Sequence, residues 1–254
     1  MTIQEANQKV QEWIDAGDLY ATLDLNGLTS AVGLTLPGYF EGSLYLDGLT
    51  SAEGLTLPDV IGGSLDLAGL TSAKGLTLPT SVVRRLNLAG LTSAVGLTLP
   101  TSVGGWLDLN GLTSTEGLTL PTSVGGLNLA GLTSAVGLTL PTSVGDLNLD
   151  GLTSAEGLTL PTSVGDLNLA GLTSAVGLTL PTSVGGLSLA GLTSAVGLTL
   201  PMSVEGWLFL NDLTSAMGLT LPTSVGGGIH FSSLPESEKE ILRQRHPEFA
   251  HKIT

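Results

Sequence analysis

Leu recurs along this chain in pairs separated by one residue, and the pairs recur in phrases. Leu127/Leu129 and Leu138/Leu140 fall within one stretch, LNLAGLTSAVGLTLPTSVGD, and the next stretch, LNLDGLTSAEGLTLPTSVGD, sets its apolar and polar positions the same way. A spacing of two sends both Leu of a pair to one face of an extended segment and the middle residue to the other. Between the pairs stand Ala-Gly, Thr-Ser, a lone Gly and Pro-Thr-Ser-Val-Gly. These are turn residues, and Gly and Pro at this density exclude a regular helix. The regular Gly positions predict positive φ or close approach between neighbouring segments. Each phrase therefore predicts one coil: a strand, a corner, a second extended side and a return.

Pro37, Pro58, Pro79, Pro100, Pro121, Pro141, Pro161, Pro181, Pro201 and Pro222 close the second pair of each phrase, which sets a period of 20 or 21 residues. The longer units carry one extra residue before the first pair: Ser43, Ser64, Arg85, Trp106 and Trp207. An extra residue at a fixed point predicts a bulge, not a change of face. One coil cannot bury its Leu set alone, but the next coil stacked on it can. Burying each Leu or Val side chain stabilises by roughly 1.5–3 kcal/mol before chain entropy opposes it. The expectation is a mainly β repeat solenoid of about ten coils. Two forms stay open: a leucine-rich-repeat-like solenoid, or a β-solenoid with two parallel sheets, one per Leu-x-Leu column.

Terminal coils expose apolar edges and need covers. Residues 1–19 predict a capping helix with Ile3, Ala6, Val10, Trp13 and Ile14 on one face and a capping box from Thr2 and Glu5. The repeat is expected over 20–228 and a helical cap over 229–254. In that cap Ser237 and Glu240 suggest a second capping box, Ile241 and Leu242 its core contacts, Pro247 a break, and Phe249 and Ile253 anchors for a last turn.

Composition narrows the function. The chain has 254 residues, 36 Gly, 12 Pro and no Cys, with 42% hydrophobic and 12% charged residues. A disordered chain would be more polar or more charged. The net charge is −14, and residues 24–212 hold only three basic side chains, Lys74, Arg84 and Arg85. Phosphate contacts need clustered Lys and Arg, so nucleic acid and anionic membrane are not expected partners. Lack of Cys removes disulfides and thiolate chemistry. The N-terminal stretch has no apolar run of signal-peptide type, and Gly, Thr, Ser or Pro interrupts every apolar window. A cytoplasmic protein is the expectation, with export by another route left open.

The phrase LTLPTSVGGLNLAGLTSA and the opening LDLNGLTSA, from Leu23 to Ala31, resemble the short leucine-rich repeats of bacterial proteins. The resemblance covers roughly residues 20–228. It implies a Leu-x-Leu strand on the concave face and binding of other macromolecules, usually proteins. Some relatives of that kind carry a ubiquitin-ligase domain with a catalytic Cys, which this sequence lacks. The Asn ladder of that family is missing after the strand; Leu132, Leu152, Leu172 and Leu192 stand near its place.

No nucleotide, zinc-protease, hydrolase or EF-hand motif occurs, so no enzyme activity, cofactor or metal is expected. The three His, at 230, 246 and 251, fall in the C-terminal cap without ligand spacing. Ten Thr-Ser pairs follow Leu at the corners with no base beside them, which predicts bonds to backbone instead of nucleophiles. The candidate binding strip is the middle residue of the first pair: Tyr45, Asp66, Asn87, Asp108, Asn128, Asn148, Asn168 and Phe209, with Asp24 and Ser188 in the same column. Amide bonding between coils is the alternative role for this column. A second column alternates Val and Glu and ends in Val176, Val196 and Met217, a patch suited to self-association. The middle residue of the second pair is always Thr: Thr35, Thr56, Thr77, Thr98, Thr119, Thr139, Thr159, Thr179, Thr199 and Thr220. Such a ladder resembles that of ice-binding β-solenoids. The expected function is a non-enzymatic scaffold for a protein partner or for copies of itself. Ice binding, and an acidic mimic that captures a basic protein, are the alternatives.

Overall fold

The computed structural model describes every residue from Met1 to Thr254. It is a mainly β parallel solenoid of about ten turns, with a helix at the N-terminus and another near the C-terminus. The chain forms two compact units, Met1–Asn128 and Leu129–Thr254.

The first unit opens with helix α1, Ile3–Ala16. The Thr2 hydroxyl accepts from Glu5 N, the Glu5 carboxylate accepts from Thr2 N, and Gly17 at φ 70° ends the helix. Ala6, Val10 and Trp13 are buried, but Ile14 is exposed and Ile3 half-buried. The buried face is narrower than the sequence suggests, because Ile14 lies about 100° around the helix from Trp13. After α1 the strands Leu23–Asp24, Leu44–Tyr45, Leu65–Asp66 and Leu86–Asn87 pair in parallel, with Leu opposite Leu at each step. Leu44, Leu65, Leu86 and their partners Leu46, Leu67 and Leu88 have no exposed surface.

The second column of strands is not the second Leu-x-Leu pair. Leu97–Leu99 and its equivalents form no strand; the pairing segment is the Ser-Val that follows the Pro, as in Ser81–Val82. Pro lacks an N–H and restricts the residue before it, so the segment it closes is a poor ladder member. Beyond it the N–H groups pair freely: Thr80 N donates to Asp59 O at 2.8 Å and Thr101 N to Thr80 O at 3.1 Å. The expectation of one sheet per Leu-x-Leu column is thereby corrected. Ser-Val and the first pair belong to one side of the coil and fuse into single strands at Ser102–Asp108 and Ser123–Asn128. Between those strands the register shifts from Val103 to Trp106, so the extra residue is taken up as a bulge.

Two tight turns close each coil. Leu91 N donates to Leu88 O and Leu97 N to Ala94 O, both at 3.0 Å. The Gly of the second turn, Gly96, has φ 80°, which other residues adopt at a cost. The Gly of the first turn serves close approach: a Cβ on Gly90 would lie 2.1 Å from Ala68 O of the preceding coil.

The second unit repeats this plan through Ser143–Asn148, the strand pairs Ser163–Val164 with Leu167–Asn168, Ser183–Val184 with Leu187–Ser188, Ser203–Val204 with Leu208–Phe209, and Ser224–Val225 with Ile229–His230. All pair in parallel, Val opposite Val and Leu opposite Leu or Ile. Helix α2, Glu236–Arg245, follows, then a 3-10 turn over Pro247–Phe249. Ser237 and Glu240 make no capping box. The N-cap is Pro235, two residues earlier, and makes no side-chain bond, so Ser237 lies inside the first turn. Leu242 is buried while Ile241 is 46% exposed, so only one of the expected pair packs inward. Pro247 does stop the helix, and Phe249 and Ile253 are buried.

Candidate functional site

The middle residues of the first Leu-x-Leu pair are placed by the strand on the face away from the Leu files. They are less open than the sequence reading supposes: Asn87 and Asp108 are only 8% and 7% exposed. Tyr45, Asp66, Asn128, Asn148, Asn168 and Phe209 are half-buried. The reason is a shared turn. Asp24, Asp66, Asn87, Asp108, Asn148 and Asn168 each accept, through a side-chain oxygen, the N–H two residues on, at 2.9–3.3 Å. These are Asx turns, and they hold the corner that leads out of the strand. In the first unit the column is also bonded lengthwise. Asn87 Nδ2 donates to Asp66 Oδ2 at 3.0 Å, Asn128 Nδ2 to Asp108 Oδ1 at 3.2 Å, and Arg85 Nη2 to Asp108 Oδ2 at 2.7 Å. Two pairs, Asp66 with Asn87 and Asp108 with Asn128, thus link neighbouring coils within the column, which is the alternative role the sequence suggests for it. The signal was the Asp/Asn preference of this column beside a following Gly or Ala turn.

The hydroxyls of the Thr-Ser pairs are likewise used at corners. From Ser30 to Ser215, the Ser of all ten pairs accepts the N–H two residues on, at 3.1–3.4 Å. That donor belongs to the residue of the Val/Glu column, which the turn holds outward. In the second unit Val176, Val196 and Met217 are 72%, 69% and 82% exposed.

The ten Thr of the second pair, from Thr35 to Thr220, are all exposed, but none lies in a strand. They stand exposed on successive coils, outside the strands in which the sequence reading placed them.

One cluster escaped that reading. In the second unit the His230 ring stacks on Trp207, centroids 5.2 Å apart, and on Phe209 at 4.9 Å. Trp207 is the extra residue of its coil and lies over Gly228, where a Cβ would meet its ring at 2.6 Å. More than half of Trp207 stays exposed. The 21-residue spacing sets Phe209 beside His230, which lies in the last strand and not in the C-terminal cap that the sequence suggests.

The other two His have separate surroundings. His246 Nδ1 lies 3.3 Å from Glu248 and His251 is exposed, and no three His, Asp or Glu are grouped as metal ligands. Two acids of the end helices titrate below the usual carboxylate range. Glu5 is lowered by the backbone N–H of Thr2, Glu236 by its bond to Arg243. No helix is long and apolar enough to cross a membrane. No protein-family profile, curated protein or solved structure matches the chain.

Proposed function

We propose that the chain is a non-enzymatic scaffold of leucine-rich-repeat type that presents its outer side chains to a protein partner or to copies of itself. The observation that carries this reading is the row Val176, Val196 and Met217, three apolar side chains held outward on successive coils by identical turns. Apolar surface kept exposed on a fold that buries its other files favours an interaction surface. Trp207, with Phe209 and His230, adds an aromatic anchor of the kind that concentrates binding energy. One sheet side per coil, whose Leu-x-Leu strand ends in an Asx turn in six coils, supports the leucine-rich-repeat assignment. The non-enzymatic part is supported by the ten corner Ser, whose oxygens are engaged in turns.

The test is capture of a protein partner by the wild-type chain, Val196→Asp/Met217→Asp and Trp207→Ala. A defined partner that binds the wild type and is lost with the Asp pair supports the row. Equal recovery by all three sinks it. Sedimentation over a concentration series, with the same variants, reads self-association.

The exposed Thr column keeps ice binding as a second reading. Ice crystals growing unaltered in micromolar protein would remove it.

A further inference from the structure

The open edges of the first and last coils are each covered, and the covering groups match what each edge lacks. Within the Leu-x-Leu strands the Leu N–H groups donate to the following coil. Leu23 N donates to Ser43 O at 2.8 Å and Leu25 N to Tyr45 O at 2.9 Å; near the other end Leu208 N donates to Gly228 O at 3.0 Å and Leu210 N to His230 O at 2.9 Å. The first coil has no coil before it, so its carbonyls lack these donors. One side chain of α1 supplies a substitute: Lys9 Nζ donates to Asp24 O at 3.2 Å. The helix is also tied to the first coil by Trp13 Nε1 to Ala21 O at 3.0 Å and Asn7 Nδ2 to Gly33 O at 2.8 Å.

The last coil is complementary along its Leu-x-Leu edge: the N–H groups of Ile229 and Phe231 lack acceptors and the Ile229 carbonyl lacks a donor, and the segment Lys252–Thr254 supplies both, Thr254 N donating to Ile229 O at 2.9 Å. Ile229 N donates to Lys252 O and Phe231 N to Thr254 O, both at 2.8 Å, while Ile253 bridges Ile229 as one more parallel rung. Lys252 Nζ also donates to the carbonyls of Val225 and Gly226.

The two edges therefore fit each other. Leu208 pairs with Ile229, and Leu23 occupies the equivalent place in the first coil. Carried one step past the last coil, that register puts Ile229 N on the Thr22 carbonyl and Phe231 N on the Asp24 carbonyl of a second copy. It also sets Ile229, Phe231 and Leu234 on Leu23, Leu25 and Leu28, all of them buried side chains. We propose that the occupant of either edge, once uncovered, is the opposite edge of a second copy of this chain, and that the two covers hold the array to the length of one chain. An unpaired strand edge is a template for another chain, and covering it is the usual defence. This concerns the coil edges, not the outward columns, and does not rest on the function proposed above.

The test opens the ends one at a time in the full chain. Val10→Asp/Trp13→Asp unseats α1, and Phe249→Asp/Ile253→Asp unseats the C-terminal segment. Measured by sedimentation against the wild type, each single-end variant keeps the wild-type mass, an equimolar mixture of the two doubles it, and the variant open at both ends grows with concentration into filaments visible by electron microscopy. Retention of wild-type mass by the doubly opened variant, or association of a single-end variant with itself, overturns the proposal. If the Asp variants lose the β circular-dichroism signal, Trp13→Ala and Phe249→Ala are put through the same mixing, and failure of their mixture to exceed wild-type mass overturns it equally.

Discussion

The indole of Trp13 lies flat on the ring of Phe40, centroids 4.5 Å apart and planes 5° from parallel. Phe40 bridges Ile61, which pairs with Val82, which pairs with Val103. An aromatic ring thus stands where later coils have a branched aliphatic, and it gives the N-terminal helix its seat. Trp13→Ala is expected to cost about 3–5 kcal/mol. Because a solenoid loses its ends first, the loss should appear as faster amide exchange over residues 22–46, with coils of the second unit unchanged.

Asp108 is 7% exposed and serves three donors: the Asn110 N–H, Asn128 and Arg85. Asp108→Ala leaves these unmatched and should destabilise by about 1–3 kcal/mol. Asp108→Asn keeps an oxygen for the turn and should recover part of the loss. Urea unfolding of the three proteins checks the order.

Gly171 and Gly177 sit in the same coil for different reasons. A Cβ on Gly171 would lie 2.0 Å from Asp150 O, whereas Gly177, at φ 79°, has open space around it. Gly177→Ala meets only backbone strain of about 1–2 kcal/mol. Gly171→Ala must push two coils apart and should be the more damaging. Thermal melts of the two variants that come out in the reverse order would refute this.

Glu5 is held below the usual carboxylate range by the Thr2 N–H. A depressed folded pKa means that the stabilisation is fully present above the unfolded pKa and is lost as pH falls through the folded one. Fraying of the first turn of α1 should therefore rise on acidification over that window. Amide shifts of residues 2–6 followed by NMR would show it, and Glu5→Gln should remove the pH dependence.

The coils were legible because period-2 Leu spacing and turn residues act locally. Leu127 and Leu129 face one way in any extended backbone, and Gly at position 96 or 177 meets a left-handed turn wherever it lies. The capping box of Thr2 and Glu5 was legible for the same reason: its partners are three residues apart. The candidate site was read less well. Asp66, Asn87 and Asp108 were placed in the right column, but their use as turn and ladder acceptors depends on the neighbouring coil. The stacking of His230 on Trp207 and Phe209 likewise depends on where the array stops.

What the sequence determined alone was the repeat, its period of 20 or 21 residues and the side of each strand that carries Leu. The tertiary structure decided which of two extended stretches became a strand. Pairing requires a free N–H facing a carbonyl on the next coil, and Pro denies that to the second Leu pair while Ser-Val offers it. It also decided that Ile14 and Ile241 face solvent, and that Lys9 caps the Asp24 carbonyl of the first coil. Those outcomes depend on which groups a stack leaves unpaired at its ends, a property no single repeat contains.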